Sequence, residues 1–170
     1  LKTNRSNALG VIVSRIDDPF FSEILQGIED VLQKAGYSLF VAASNRDSQR
    51  EKAIVQAMRE RRVDGIIICT TQFSEEHRSQ LESYGLPIIS IGNHEETNYR
   101  WYSCHDDRYA SRQLTKYLIE LGHEKIAFLG NSRAQTTTQG RLNGFLQEMN
   151  AANLPIPDEY VFHCPNGQPE

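Results

Sequence analysis

The grouping in the 170 residues that comes nearest to a catalytic motif is Gly130-Asn131-Ser132-Arg133-Ala134. It sets a serine where a sharp strand-to-helix turn would expose its hydroxyl as a nucleophile, but alanine stands where such an elbow needs its last glycine. That chemistry also needs a histidine and an acid within reach, and the downstream histidine, His163, has no clear acid partner. His77, His94, His105 and His123 lack metal-ligand spacing, and no carboxylate–histidine pair repeats on one helix face, so no metal is expected. No G-x-G-x-x-G follows the first apolar run and no G-x-x-x-x-G-K-[ST] occurs, which argues against dinucleotide and P-loop chemistry and leaves no cofactor to expect. An enzyme is not the expected reading.

Other residues suit recognition better than bond-making. Asp18 follows the first apolar run; its carboxylate is placed either to accept hydrogen bonds from ligand hydroxyls or to cap a helix starting at Pro19. Phe20 and Phe21 offer apolar faces to the C–H surface of a ring; by helical phase Phe20 is the better pocket wall and Phe21 the better core residue. Asp106 repeats the situation further on, with capping as its first role and ligand contact as a second. Arg141, near the start of a helix, is placed to fork onto hydroxyls or a carboxylate, although a lone helix arginine is ordinarily solvated. Thr70 and Asn93 complete the candidate ligand-binding set because each follows a strand.

These positions are set by alternating strands and helices. Ala8 to Val13, Ser38 to Ala43, Gly65 to Thr70, Pro87 to Ile91 and Trp101 to His105 read as strands, and Lys125 to Leu129 begins a sixth. Between the first two, Ile24, Leu25, Ile28, Val31, Leu32 and Ala35 recur at helical spacing, with Pro19 at the first turn and Gly36 at the end. Ser48 with Glu51 reads as a capping box for a helix whose core face is Ile54, Ala57 and Met58. Ser74 is expected to cap a short helix through Ser83. After Asp106 a further helix is expected to turn Ala110, Leu114, Tyr117, Leu118 and Leu121 inward and to close at Gly122. A last helix has Leu142, Phe145, Leu146 and Met149 as its core face. Continuous Val/Ile/Leu strands separated by amphipathic helices predict an α/β fold with a doubly wound parallel sheet, whose ligands bind beyond the carboxyl ends of the strands.

Composition agrees with a globular chain of this size: 39% of residues are hydrophobic, 24% are charged and the net charge is −4. The mildly acidic balance, with no aromatic-interleaved basic stripe, argues against direct nucleic-acid binding by this segment. Cys69, Cys104 and Cys164 are odd in number and widely spaced, which suits free thiols in the cytoplasm better than a disulfide framework. No apolar run reaches the roughly 18 residues of a membrane span, so no membrane partner is expected.

The order of motifs resembles the effector domains of the lactose-repressor (LacI/GalR) family. Leu9-Gly10-Val11-Ile12-Val13, Asp18-Pro19-Phe20-Phe21, Gly27-Ile28-Glu29 and Ala35-Gly36-Tyr37 resemble the family's opening. Arg62 to Ile67 and Pro87 to Ile89 look like the next landmarks, and Asp106 followed by Tyr117 to His123 looks like its most specific signature. Arg141 to Phe145 is similar to its R-x-x-G-[FWY] segment. The combination spans residues 8–156 and is stronger than any one piece.

The resemblance implies a periplasmic-binding-protein-like domain of type I with two lobes. Residues 1–7 are expected to be a linker from an absent helix-turn-helix domain, residues 8–122 an N-terminal lobe, and residues 123–170 the start of a truncated C-terminal lobe. It implies a cytoplasmic homodimeric repressor that binds a sugar-like effector between the lobes and so modulates operator DNA binding through the upstream domain. A periplasmic sugar-binding protein of a transport system is the alternative. Gly92-Asn93 departs from the Asp-Arg that sugar-binding relatives often carry there, which puts an ordinary ribose or glucose mode in doubt. An unfinished second lobe is further expected to expose Ile126, Phe128, Phe145 and Met149 and to favour association.

Overall fold

In a computed structural model of the chain, residues 5–69, 79, 83–92, 101–131 and 135–164 are described. Thr70, Asn93, Ser132 and most of the helix expected from Ser74 to Ser83 lie outside them. The chain divides into two compact units, one up to Cys104 and one from His105.

The first unit runs β1 (Ala8–Val13), α1 (Pro19–Lys34), β2 (Ser38–Ala43), α2 (Ser48–Glu60), β3 (Gly65–Cys69), β4 (Ile88–Gly92) and β5 (Tyr102–Cys104). The strands form one parallel sheet in the order β2-β1-β3-β4-β5. Because successive side chains of a strand point to opposite faces, β1 feeds two cores. Ile12 packs with Val55 and Met58 of α2 on one face, while Val11 and Val13 pack with Phe21, Ile24, Leu25 and Ile28 of α1 on the other. Covering both faces explains why the strands are apolar throughout rather than alternating.

Local chemistry sets the helix ends. Pro19 opens α1, and Gly36, at φ 72°, follows its last turn. The start of α2 differs from expectation: the capping residue is Asp47, whose carboxylate accepts from the amides of Gln49 (2.8 Å) and Arg50 (3.1 Å), and Ser48 is already helical. The chain reaches Asp47 through Asn45 and Arg46 at positive φ, which leaves Asp47 extended as a cap must be. The face of α2 is correspondingly centred on Val55 and Met58. At the amino ends of the strands, the Asp64 carboxylate accepts from the amides of Ser6 and Asn7, both at 3.0 Å, and the Asp64 amide donates to the Ala8 carbonyl. Those bonds fix where β1 begins beside β3.

The second unit contains α3 (Asp107–Glu120), β6 (Phe128–Asn131), α4 (Gln135–Ala151), a 3-10 turn (Asp158–Tyr160) and β7 (Val161–Cys164), with β6 and β7 parallel. Its core is Ile126, Phe145 and Met149, joined by Leu118, Ile119, Leu142 and Leu146. Three expectations change here. Leu118 and Ile119 of α3 enter this core, so compactness divides the chain at Cys104–His105 rather than after Gly122. The inward face of α3 is Thr115, Leu118 and Ile119, whereas Ala110, Leu114, Tyr117 and Leu121 are exposed. Ile126, Phe145 and Met149, expected to be exposed, are buried; the large exposed apolar residues of this unit include Leu129 and Phe162.

Candidate functional site

In the first unit the strand order turns back on either side of β1, which makes the loop after β1 a place where this kind of sheet receives ligands. Ser14 is buried there and its carbonyl accepts from the Asn45 amide, so the loop leaves the sheet from a fixed point. Arg15 then donates from Nε and Nη2 to the two carboxylate oxygens of Asp17, at 2.8 and 2.5 Å. The fork holds the Asp17 carboxyl below the usual carboxylate range and raises the Arg15 guanidinium. Asp18 is the N-cap of α1, accepting from the Phe20 amide at 3.0 Å. Phe21 is buried against Val11, Val13 and Cys69, while Phe20 stands edge-on to it, centroids 5.3 Å apart, and is 48% exposed. Asp18, Phe20 and Phe21 thus come together, with Phe20 the more exposed of the two rings.

In the second unit the doublet Asp106-Asp107 divides two tasks. Asp106 caps α3, accepting from the Tyr109 amide at 2.8 Å. Asp107, one residue on, accepts at 2.7 Å from Nε of Arg141 on α4. Asp107 and Arg141 both line a cavity of about 610 Å³ together with Ser111, Leu114, Leu118 and Phe145. Asp106 is not among its lining residues.

The helix contact that makes this pairing possible comes from small residues. A Cβ on Gly144 would meet the backbone carbonyl of Arg108, and one on Gly140 would lie 3.4 Å from the Asp107 Cβ. Glycine at 144 lets α4 lie against the backbone of α3, and two further bridges flank the pair: Arg108 donates to Gln147 (2.9 Å) and Arg112 to Glu148 (3.0 Å). Arg15, Asp17 and Asp107 were not among the candidates read from sequence. An R-x-D following a strand, and a second carboxylate beside one already committed to capping, are the signals that point to them.

Among known proteins, the family described as periplasmic binding proteins and sugar binding domain of the LacI family matches residues 6–170. The chain is 29% identical over 163 residues to the HTH-type transcriptional repressor PurR of Photorhabdus laumondii, covering 95% of this chain and 48% of the relative. It is 27% identical to PurR of Mannheimia succiniciproducens, covering 95% and 49%. Among solved structures, a protein assigned as a ribose operon repressor from Burkholderia thailandensis is 32% identical with a TM-score of 0.82, covering 94% of this chain and 61% of that one. The transcription regulator CcpA of Lactococcus lactis is 25% identical with a TM-score of 0.80, covering 94% and 59%. The chain spans about half the length of these curated relatives.

The chain therefore belongs to the family of periplasmic binding proteins and LacI-type sugar-binding domains, and the parallel α/β fold expected from its motifs is the family's fold. No helix among the described residues is long and apolar enough to cross a membrane.

Proposed function

We propose that this chain is the effector-sensing portion of a LacI-type transcriptional repressor, with no catalytic role. The observation that carries the reading is the Arg141–Asp107 pair over a cavity, which offers directed hydrogen bonds to a ligand, in a chain whose curated relatives are repressors. Arg141 is the principal ligand contact; Asp18 and Phe20, with Thr70, Asn93 and Asp106 as further candidates, complete the set of effector contacts, and Phe21 supports Phe20 from the core. The effector is a sugar or sugar derivative.

Residues 1–7 are the end of a connection from an upstream DNA-reading domain, the first unit is one lobe and the second unit the opening of the other. The protein works in the cytoplasm as a homodimer. Exposed Val31 of α1, with Phe40 and Val41 on the edge strand β2, supplies apolar surface for a second copy. Sensing needs only two arrangements of differing effector affinity, and a coupling of about 1–3 kcal/mol between effector and operator is typical of such linkage.

The test is operator binding by the complete regulator, followed by fluorescence anisotropy across a panel of monosaccharides, polyols and sugar phosphates. A member of the panel is expected to change operator affinity by roughly 5- to 150-fold, and Arg141→Ala is expected to remove that response while leaving operator affinity in its absence unchanged. A regulator whose DNA affinity responds to none of them, or an export signal in place of a DNA-reading domain upstream of Leu1, contradicts the proposal.

A further inference from the structure

Of the arginines on the facing sides of α3 and α4, each has a different partner. Arg112 is balanced by Glu148, Arg108 bonds the neutral amide of Gln147, and Arg141 is balanced by Asp107. The cavity's own cation is therefore neutralised before any ligand arrives. Arg141 uses only Nε in that bond, and among the described residues its two terminal nitrogens have no hydrogen-bond partner. Its side chain is 55% exposed against 19% for Asp107, so the terminal nitrogens remain accessible while the carboxylate is held in. Asp107 binds Arg141 through Oδ1, which leaves Oδ2 as an acceptor beside those donors.

A donor set next to an acceptor, with no net charge, matches a hydroxyl pair, because each hydroxyl both donates and accepts. An anion meets the same donors but also faces the Asp107 carboxylate at close range. From these features we infer that Asp107 sets the charge preference of the Arg141 site, holding the guanidinium for uncharged polyhydroxyl ligands and disfavouring phosphate or carboxylate groups. The inference rests on the effector-sensing reading above and names the ligand chemistry at one of its contacts. Asp107 acts here as a positioning and specificity residue, through Arg141 and through its own charge.

The experiment compares the full chain with Asp107→Asn and Asp107→Glu, titrating each with inorganic phosphate while following the Arg141 Nε–H signal by NMR. A carboxylate removed from beside a doubly charged anion is worth roughly tenfold or more in affinity even where solvent screens the pair. Phosphate is therefore expected to bind D107N at least about tenfold more tightly than the wild type, D107E to behave as the wild type, and Arg141→Ala in the D107N background to abolish the gain. Asp107→Ser provides the same comparison if the asparagine variant does not fold. Equal phosphate affinity in wild type and D107N, a D107E that resembles D107N, or a gain that survives loss of Arg141 would each overturn the inference. Because phosphate reads the charge at Asp107 directly, a failed sugar panel defeats the effector reading without touching this result, and equal phosphate affinities defeat this inference without touching the panel.

Discussion

Replacing one glycine by alanine in each unit should have opposite effects, and the signs follow from what a Cβ would meet. Gly27 lies in the interior of α1 with no atom within 4 Å of an added Cβ. Alanine there restricts the unfolded chain and improves helix propensity, for a gain of about 0.5–1 kcal/mol. At Gly144 the same Cβ runs into the Arg108 carbonyl and lies 3.0 Å from both the Arg112 amide nitrogen and the Ser111 Cβ. Two of these are backbone atoms of a packed helix, so relief requires α4 to move away from α3. Overpacking of that kind costs about 1–3 kcal/mol; set against the same propensity gain, the net loss reaches about 2.5 kcal/mol and centres on about 1 kcal/mol. At roughly 2–4 °C per kcal/mol for a chain of this size, Gly27→Ala should raise the melting temperature by about 1–4 °C and Gly144→Ala lower it by about 2–4 °C at the central value and by up to about 10 °C. Thermal unfolding followed by circular dichroism measures both. If both variants are stabilised alike, α3 and α4 do not approach as described and the Arg141–Asp107 pairing loses its structural basis.

The cysteines, the β1 start and the β1 loop give three further outcomes. Burial pushes the Cys69 thiol up to about 12, so at pH 8 it should resist iodoacetamide while exposed Cys104 reacts; mass spectrometry of digested protein after labelling reads the order of modification. Asp64→Ala removes an acceptor from two backbone amides and should cost about 1 kcal/mol, with hydrogen exchange accelerating first at Ser6 and Asn7. Arg15→Ala should let the Asp17 carboxyl rise toward its ordinary value, readable by NMR titration. Because the folded value is the lower one, the Arg15–Asp17 attraction favours the loop above the ordinary carboxylate range and is lost as pH falls through the depressed value.

Legibility in the sequence followed physical cause. The phase of α1 was readable because Ile24, Leu25 and Ile28 sit on one face between a proline start and a glycine end, so local and tertiary preferences agree. In α3 the apolar residues form one broad stripe, of which Leu118 and Ile119 enter the core while Leu114, Tyr117 and Leu121 stay exposed. Periodicity located the stripe but not its centre: packing against α4 keeps Leu118 of the expected face and shifts the buried side toward Thr115 and Ile119. The cap of α2 was displaced by one residue because positive φ at Asn45 and Arg46 is not written in residue type. The same division holds at the candidate site. Phe20 and Phe21 were separated by helical phase alone, whereas the Arg141–Asp107 bond joins residues 34 positions apart and depends on a close approach at Gly144 whose purpose appears only when the helices are packed.

The central claim is that Arg141 binds a small effector, and calorimetry of the complete regulator against neutral monosaccharides and polyols tests it most directly. A specific neutral ligand is expected, bound by the wild type and lost in Arg141→Ala with the fold intact by circular dichroism; at 100 times its Kd it should stabilise the protein by about 2.7 kcal/mol. A ligand bound equally well by Arg141→Ala, or a correctly folded regulator that binds nothing in the panel, would contradict the account.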